Sequence, residues 1–286
     1  MTRRSTIPAA FLGVACAFIS VASAQQPISN DLPVADNEFQ VGATLYTQKA
    51  AEFRALAYQA FNLARLRIDE DMNKRNLARL PRAARARPRA IIVDIDETIL
   101  DNSPAQAAGI RHRRNFNMKD WYAWTEMRKA APIPGAVEFL NYAVFKGVKV
   151  FYVSNRDEVQ KQATIDNLRS VGLRGIGEDN VLLRQKDEKG ANISTKTPRR
   201  QYVEKKYRIV MLIGDNLDDF SDVFERKSVS DRFAETDRYK VEWGSSWIVL
   251  PNAMYGTWEN AIYQYKAGEL TEAQKAEMRA KALEMP

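Results

Sequence analysis

The sequence predicts an α/β protein: a Rossmann-like, mostly parallel sheet flanked by helices, with a smaller helical region drawn from the N- and C-terminal segments. Two observations carry this. Five short β-rich runs, Ala90–Ile95, Lys149–Ser154, Asn180–Leu183, Arg208–Ile213 and Ser246–Leu250, alternate with helical patterns, as βαβ units do. The runs Ile91-Ile92-Val93 and Ile209-Val210-Met211-Leu212-Ile213 are continuously apolar, which suits strands covered on both faces. Composition agrees: 286 residues, 45% hydrophobic and 28% charged, supply a sizeable core.

In chain order, residues 1–24 read as an export signal. Arg3 and Arg4 precede a mostly apolar stretch from Ile7 to Val21, closed by Ala22-Ser23-Ala24. That stretch is short for a bilayer span, and its small-x-small end favours cleavage after Ala24. The expected location is the periplasm; the alternative is an outer-membrane lipoprotein anchored at Cys16. Cleavage would leave no cysteine, which suits an oxidising compartment without requiring disulfides. Residues 42–74 predict one long helix, with Leu45, Phe53, Leu56, Ala57, Ala60, Phe61, Ala64 and Ile68 at helical spacing. An arginine-rich segment follows, with Arg75, Arg79, Arg82, Arg85, Arg87 and Arg89. Pro81 and Pro88 interrupt it and no aromatic residues interleave to stack bases, so it reads as a solvated helix end and linker, and no nucleic-acid partner is expected. The formal net charge is +7, to which Arg3 and Arg4 contribute two. The expected organisation is a helical segment 25–87, a core 88–252 with an insertion from Asn102 to Pro134, and a C-terminal helical segment 253–286 packing with 25–87. Thr271–Leu283 reads as a polar-faced helix. No second membrane segment is expected, and a homo-oligomer is compatible with the sequence.

The residue inventory narrows the chemistry. The chain has one histidine, His112, and one cysteine, Cys16. Zinc hydrolases and two-histidine phosphatases need several imidazoles. His112 sits among Arg111, Arg113 and Arg114 and reads as a solvated loop residue, and Cys16 lies in the leader. The work therefore falls to carboxylates, lysine, hydroxyls or a hard metal. In a parallel sheet, ligands bind outside the carboxyl ends of the strands. There stand Asp94-Ile95-Asp96-Glu97-Thr98, Ser154-Asn155-Arg156 and Gly214-Asp215-Asn216-Leu217-Asp218-Asp219, with a lysine-bearing segment from Lys186 to Lys196. Acids brought together repel one another, and a hard cation such as Mg²⁺ relieves this with oxygen ligands. An aspartate can attack phosphorus to form an aspartyl-phosphate. A second acid two residues on can protonate the leaving oxygen and then activate water. A hydroxyl, an amide and a lysine can hold the phosphoryl oxygens.

This combination resembles the haloacid dehalogenase (HAD) superfamily, whose motifs are DxD after the first strand, Ser/Thr after the second, a lysine, and an acidic GD motif after the fourth. The match is closer to its class C acid phosphatases, the lipoprotein-type bacterial 5′-nucleotidases. Asp94-Ile95-Asp96-Glu97-Thr98-Ile99-Leu100-Asp101-Asn102-Ser103-Pro104 and Gly214-Asp215-Asn216-Leu217-Asp218-Asp219-Phe220 resemble their two long signatures. Leu56-Ala57-Tyr58-Gln59-Ala60-Phe61, Pro134-Gly135-Ala136-Val137-Glu138-Phe139 and Ile248-Val249-Leu250-Pro251-Asn252 extend the likeness over nearly all of the chain beyond the leader. The resemblance implies Asp94 as nucleophile and Mg²⁺ ligand. It implies Asp96 as general acid/base that also binds the metal through its backbone carbonyl. Asp215 is the implied third ligand, and Asp219 an orienting residue behind it. Ser154 and Asn155 match the phosphate-binding motif. Lys196, in Ser194-Thr195-Lys196 followed by Arg199, matches the lysine, with Lys186 as the alternative. Trp121 and Tyr255 match a clamp on a substrate base, although they, Trp124 and Trp258 also read as ordinary core aromatics.

Ala105 stands where the family has tyrosine, Ser154 replaces an expected threonine, and Gly13 weakens the lipidation motif. The expected activity is hydrolysis of small phosphate esters, in particular nucleoside 5′-monophosphates. The contrasting reading, a non-catalytic phosphate-binding or storage protein on the same fold, is disfavoured by the presence of both Asp94 and Asp96.

Overall fold

The computed structural model describes residues 37–286. The leader, the Ala24 site and Cys16 lie outside the described residues. Helices α1 (Val41–Lys49), α2 (Ala51–Met72), α3 (Lys74–Arg79) and α4 (Arg82–Ala86) lead into strand β1 (Arg89–Val93). An insertion follows, framed by β2 (Leu100–Asp101) and β3 (Ala131–Pro132) and carrying α5 (Ser103–Arg111) and α6 (Met118–Glu126). Then come α7 (Ala136–Phe145), β4 (Lys149–Asp157), α8 (Lys161–Ser170), β5 (Val181–Arg184), α9 (Thr197–Glu204) and β6 (Arg208–Gly214). The chain closes with α10 (Val229–Arg238), β7 (Trp247–Val249), α11 (Thr257–Ile262) and α12 (Glu272–Lys281).

All five expected strands form. They make one parallel sheet in the order β5-β4-β1-β6-β7. Successive strand residues point to opposite faces, and both faces are covered. Ile91 and Val93 pack with α2 and α7 residues such as Phe61, Phe139 and Leu140. Ala90 and Ile92 pack with Phe151, Val203, Leu212 and Phe220. This is why the strands read as unbroken apolar runs. Leu100 and Asp101 pair antiparallel with Pro132 and Ala131, which brings the two ends of the insertion together.

The single helix expected over 42–74 is divided. Ala50 is extended (φ −77°, ψ 128°), and its N–H closes α1 on the Tyr46 carbonyl. The two parts serve different partners. Helix α1 contacts α5 of the insertion, whereas α2 turns Phe53, Ala57, Ala60, Phe61, Ala64 and Ile68 into the main core. Leu45 and Leu56, counted on the apolar face by spacing, are 50% and 40% exposed. At Gly135, φ is +87° and a Cβ would meet the Phe61 and Tyr58 rings at 3.2 Å. Glycine here permits both the turn into α7 and its close approach to α2.

Asp71, near the end of α2, joins that helix to the amino ends of two strands. Its carboxylate accepts from Arg89 Nε (2.6 Å) and from Arg208 Nη1 and Nη2 (2.7 and 2.6 Å). Burial pushes the Asp71 acid up, but the bonds and charges of Arg208 and Arg89 outweigh it and hold the acid below its ordinary 3.8. A lowered folded-state value contributes stability above pH 3.8 that is lost as pH falls through that lower value. Asp71→Asn is therefore expected to lower unfolding stability by about 1–3 kcal/mol at pH 7. In urea titrations the gap between variant and wild type should close as the pH falls below the carboxylate range. A gap unchanged at low pH would show that the charge contributes nothing.

Candidate functional site

The site lies where β1, β4 and β6 end. Asp94 follows β1 directly, and its N–H bonds the Ile213 carbonyl of β6 (2.9 Å). The chain then reverses sharply. Glu97 takes a left-handed φ of 59°, and the Ile99 and Leu100 N–H groups both bond the Ile95 carbonyl. The buried Glu97 carboxylate accepts from the Asn102 N–H (2.8 Å) and faces inward, so desolvation first, and then the charges of Asp96 and Asp215, push it well above the ordinary glutamate value. This turn sends the Asp94 and Asp96 side chains to different neighbours.

Asp94 is 7% exposed and pairs with the Lys196 ammonium, which also reaches Asp219 Oδ1 at 2.6 Å. Lys196 is the residue just before α9 and is itself buried. Lys186 is exposed, on the loop where it bridges to Asn192. Of the two lysines considered, Lys196 is the one brought among the acids. Asp219 lies against β6: a Cβ at Gly214 would collide with its side chain, and the Asn216 N–H donates to its Oδ2 (3.0 Å). Asp215 accepts from Thr98 Oγ1 (3.2 Å) and Asn252 Nδ2 (2.8 Å).

Carboxylate oxygens of Asp94, Asp215 and Asp219 lie within 4.8 Å of one another. Desolvation raises Asp94 well above the ordinary aspartate value. Lys196 opposes this, while Asp219, Asp215 and Asp96 add to it. Desolvation, and then the Asp219 charge, push Asp215 up to about 7. Burial disfavours the Lys196 charge, but Asp219 and Asp94 outweigh it and raise the ammonium above its ordinary value. An oxygen-only donor set crowded to mutual repulsion fits a hard divalent cation of the Mg²⁺ class.

The Asp96 carboxylate is outside that trio. It accepts from Ser154 Oγ (3.1 Å), Asn102 Nδ2 (2.9 Å) and Arg156 Nη2 (2.7 Å). Asn155 is exposed, and its Oδ1 accepts from Arg199 Nη2 (2.6 Å). Arg199 also donates to the Ser154 carbonyl (2.6 Å), which ties α9 to the end of β4. Trp121, half-buried on α6, lies with its ring 5.4 Å from the Arg156 guanidinium and 6.1 Å from the exposed Phe116 ring. Tyr255, also half-buried, belongs to the loop between β7 and α11 that carries Asn252. Trp124, read as an ordinary core aromatic by default, donates its Nε1–H to Asn102 Oδ1 (2.8 Å), one step from Asp96. His112 is exposed at the end of α5.

Asn102, Arg156, Arg199 and Asn252 received no role from the sequence. They lie inside or beside the strings that carry the family likeness, but their inward orientation depends on partners 44 to 60 positions away for the two arginines and 37 for Asn252.

Comparison with known proteins agrees with this geometry. The profile of the HAD superfamily, subfamily IIIB (acid phosphatase), matches residues 4–258. The class C acid phosphatase of Bacillus anthracis is 37% identical with a TM-score of 0.77, over 87% of this chain and 98% of that one. Its tungstate-bound structure matches equally. Acid phosphatase 1 of Solanum lycopersicum is 29% identical over 130 residues, 45% of this chain. The match spans about half the length of that curated relative (50%). With the profile matched over most of its length and the acids at the strand ends, this chain belongs to the HAD superfamily, subfamily IIIB, the acid phosphatases.

Proposed function

We propose that this protein is an exported, Mg²⁺-dependent phosphomonoesterase that hydrolyses nucleoside 5′-monophosphates through an aspartyl-phosphate on Asp94. The observation that carries the reading is the buried Lys196 between Asp94 and Asp219, with Asp215 in the same cluster. Asp94, Asp215 and the Asp96 carbonyl would hold the metal, and Asp219, in the same cluster, would orient the site through its pair with Lys196. When bound, the cation offsets repulsion between the Asp94 carboxylate and an anionic phosphate. An Asp94 oxygen attacks phosphorus and the ester P–O bond breaks. Asp96 gives its proton to the leaving oxygen. Asp96, now ionised, takes a proton from water as that water attacks phosphorus, and the Asp94–phosphorus bond breaks to release inorganic phosphate. Ser154, Asn155 and Lys196 hold the phosphoryl oxygens. The tungstate bound to the Bacillus anthracis relative, a tetrahedral oxyanion, supports the phosphate reading.

In this reading residues 88–252 are the phosphatase core, on whose sheet α2 packs, and the described residues before α2 join 253–286 in the smaller helical region. Gln40 Nε2 donates to the Met254 carbonyl (3.4 Å) and the Arg279 guanidinium lies 3.6 Å from the Phe39 ring centroid, which supports that pairing of the ends. Among the described residues no helix is long and apolar enough to cross a membrane. Export rests on the leader pattern of residues 1–24.

Phosphate release from a nucleoside monophosphate tests the chemistry. Asp94→Asn should lower turnover by more than about a thousandfold with the fold retained, and a chelator should silence the wild type. Wild-type rates in Asp94→Asn, or in chelated buffer, would refute the mechanism. The specificity reading makes a separate demand. Base stacking contributes about 1–3 kcal/mol where aromatics bind single-stranded nucleic acid. Trp121→Ala and Tyr255→Ala should therefore lower kcat/KM for a nucleoside 5′-monophosphate at least about tenfold more than for a small aliphatic phosphate. Equal losses on both substrates would make the two rings structural. For export, mass spectrometry of protein from cell fractions should find an N-terminus at Gln25, and an acylated Cys16 would replace this with the lipoprotein form.

A further inference from the structure

We infer that Arg156 is the positioning residue that aims Asp96, and that it couples this aim to the helix carrying Trp121. The inference rests on the acid–base role proposed for Asp96. Of the acids at the strand ends, Asp94 and Asp219 pair with Lys196, and Asp215 lies beside them. Asp96 is held on the other side by a fork. Arg156 Nη2 and Nε donate to its Oδ1 at 2.7 and 3.0 Å, and Nε also approaches Oδ2 at 3.2 Å. Asn102 and Ser154 complete the set, one on each oxygen.

The fork is itself fixed. Arg156 is 2% exposed, and its Nη1 donates to Thr164 Oγ1 (3.0 Å), whose hydroxyl bonds the Gln160 carbonyl (2.8 Å). The guanidinium is thus anchored at its far end, and the carboxylate takes its direction from it. Without it, Asp96 would keep only Asn102 Nδ2 and Ser154 Oγ, one neutral donor on each oxygen, against the pull of any cation held by the neighbouring acids. Proton transfer to a leaving oxygen depends on such aim, and a misplacement of about 1 Å can cost about a hundredfold in rate. A planar, two-pronged donor sets direction as well as charge, which a lysine ammonium does not.

The same arginine meets the insertion. Its guanidinium lies against the Trp121 ring of α6. That helix is fastened to the chain just after Arg156 by Tyr122 Oη to Asp157 (2.6 Å) and by Gln160 Nε2 to Thr125 Oγ1 (2.9 Å). The aromatic face expected to meet the leaving group and the carboxylate expected to protonate it therefore share one support.

The test compares two esters in the full chain with saturating Mg²⁺: p-nitrophenyl phosphate, whose leaving group needs little protonation, and glycerol phosphate, whose alkoxide needs a proton. The readout is the ratio of their kcat/KM values, taken on one sample so that a partly folded variant does not distort it. Arg156→Gln should lower kcat/KM for the alkyl ester about 10- to 100-fold and for the aryl ester no more than about threefold. Arg156→Lys should not restore the ratio. In an Asp96→Asn background, Arg156→Gln should leave the ratio unchanged, because the group it aims is already silent. Equal losses on both esters, rescue by lysine, or a further shift in the Asp96→Asn background would overturn the positioning role. If Asp96→Asn alone left the ratio at its wild-type value, the acid–base role of Asp96 would fall, and this inference with it.

Discussion

The structure turns on one electrostatic problem: Asp94, Asp215 and Asp219 crowd the carboxyl edge of a buried sheet. Desolvation first, and then their mutual repulsion, raise Asp94 and Asp215 above ordinary aspartates. Lys196 is the ammonium that answers two of them directly. Removing one partner from a buried pair typically costs about 3–5 kcal/mol, because the remaining charge is left without a counterion. Much of the surrounding chain serves this arrangement. Glycine at 214 leaves room for Asp219 against the strand. Helix α9, which follows Lys196 directly, is fixed by Arg199 to β4 and by Arg200 to the Asp218 and Asp219 carbonyls.

A second constraint is the separation of Asp94 from Asp96. Two residues apart, they would compete for the same cation if both faced it. The left-handed turn at Glu97 and the bonds of Asn102, Ser154 and Arg156 draw Asp96 away. The buried Glu97 is part of that turn, and its N–H and carboxylate are taken up by Leu100 and Asn102. Its strained backbone is the local cost of giving neighbouring carboxylates distinct surroundings.

The sheet makes such placement rigid. Strand β1 lies at the centre, paired on both sides by β4 and β6, so the ends of three adjacent strands converge. Both faces are packed, one by α2 and α7 and the other by Val203 and the Phe220 cluster. The insertion is fastened at its base by the β2–β3 pair and at its middle by Tyr122, Trp124 and Thr125. The insertion and the acid-bearing strand ends thus rest on one frame.

The amino-acid sequence by itself determined the parallel α/β fold, because strands buried on both faces must be apolar at every position, and that pattern needs no knowledge of partners. It also determined the acids and the hydroxyl at the strand ends, because the turns after β1, β4 and β6 carry their polar residues as contiguous strings. The break at Ala50 was not legible: helical spacing continues through it, and only the separate partners of α1 and α2 require it. Choosing Lys196 over Lys186 from spacing needed the family likeness, whereas in the fold one is buried against Asp94 and the other lies on an exposed loop. The inward turn of Arg156, Arg199 and Asn252 was decided by tertiary structure alone. A single buried arginine or asparagine has no periodicity to announce it, and its orientation is set by a counterpart distant in the chain.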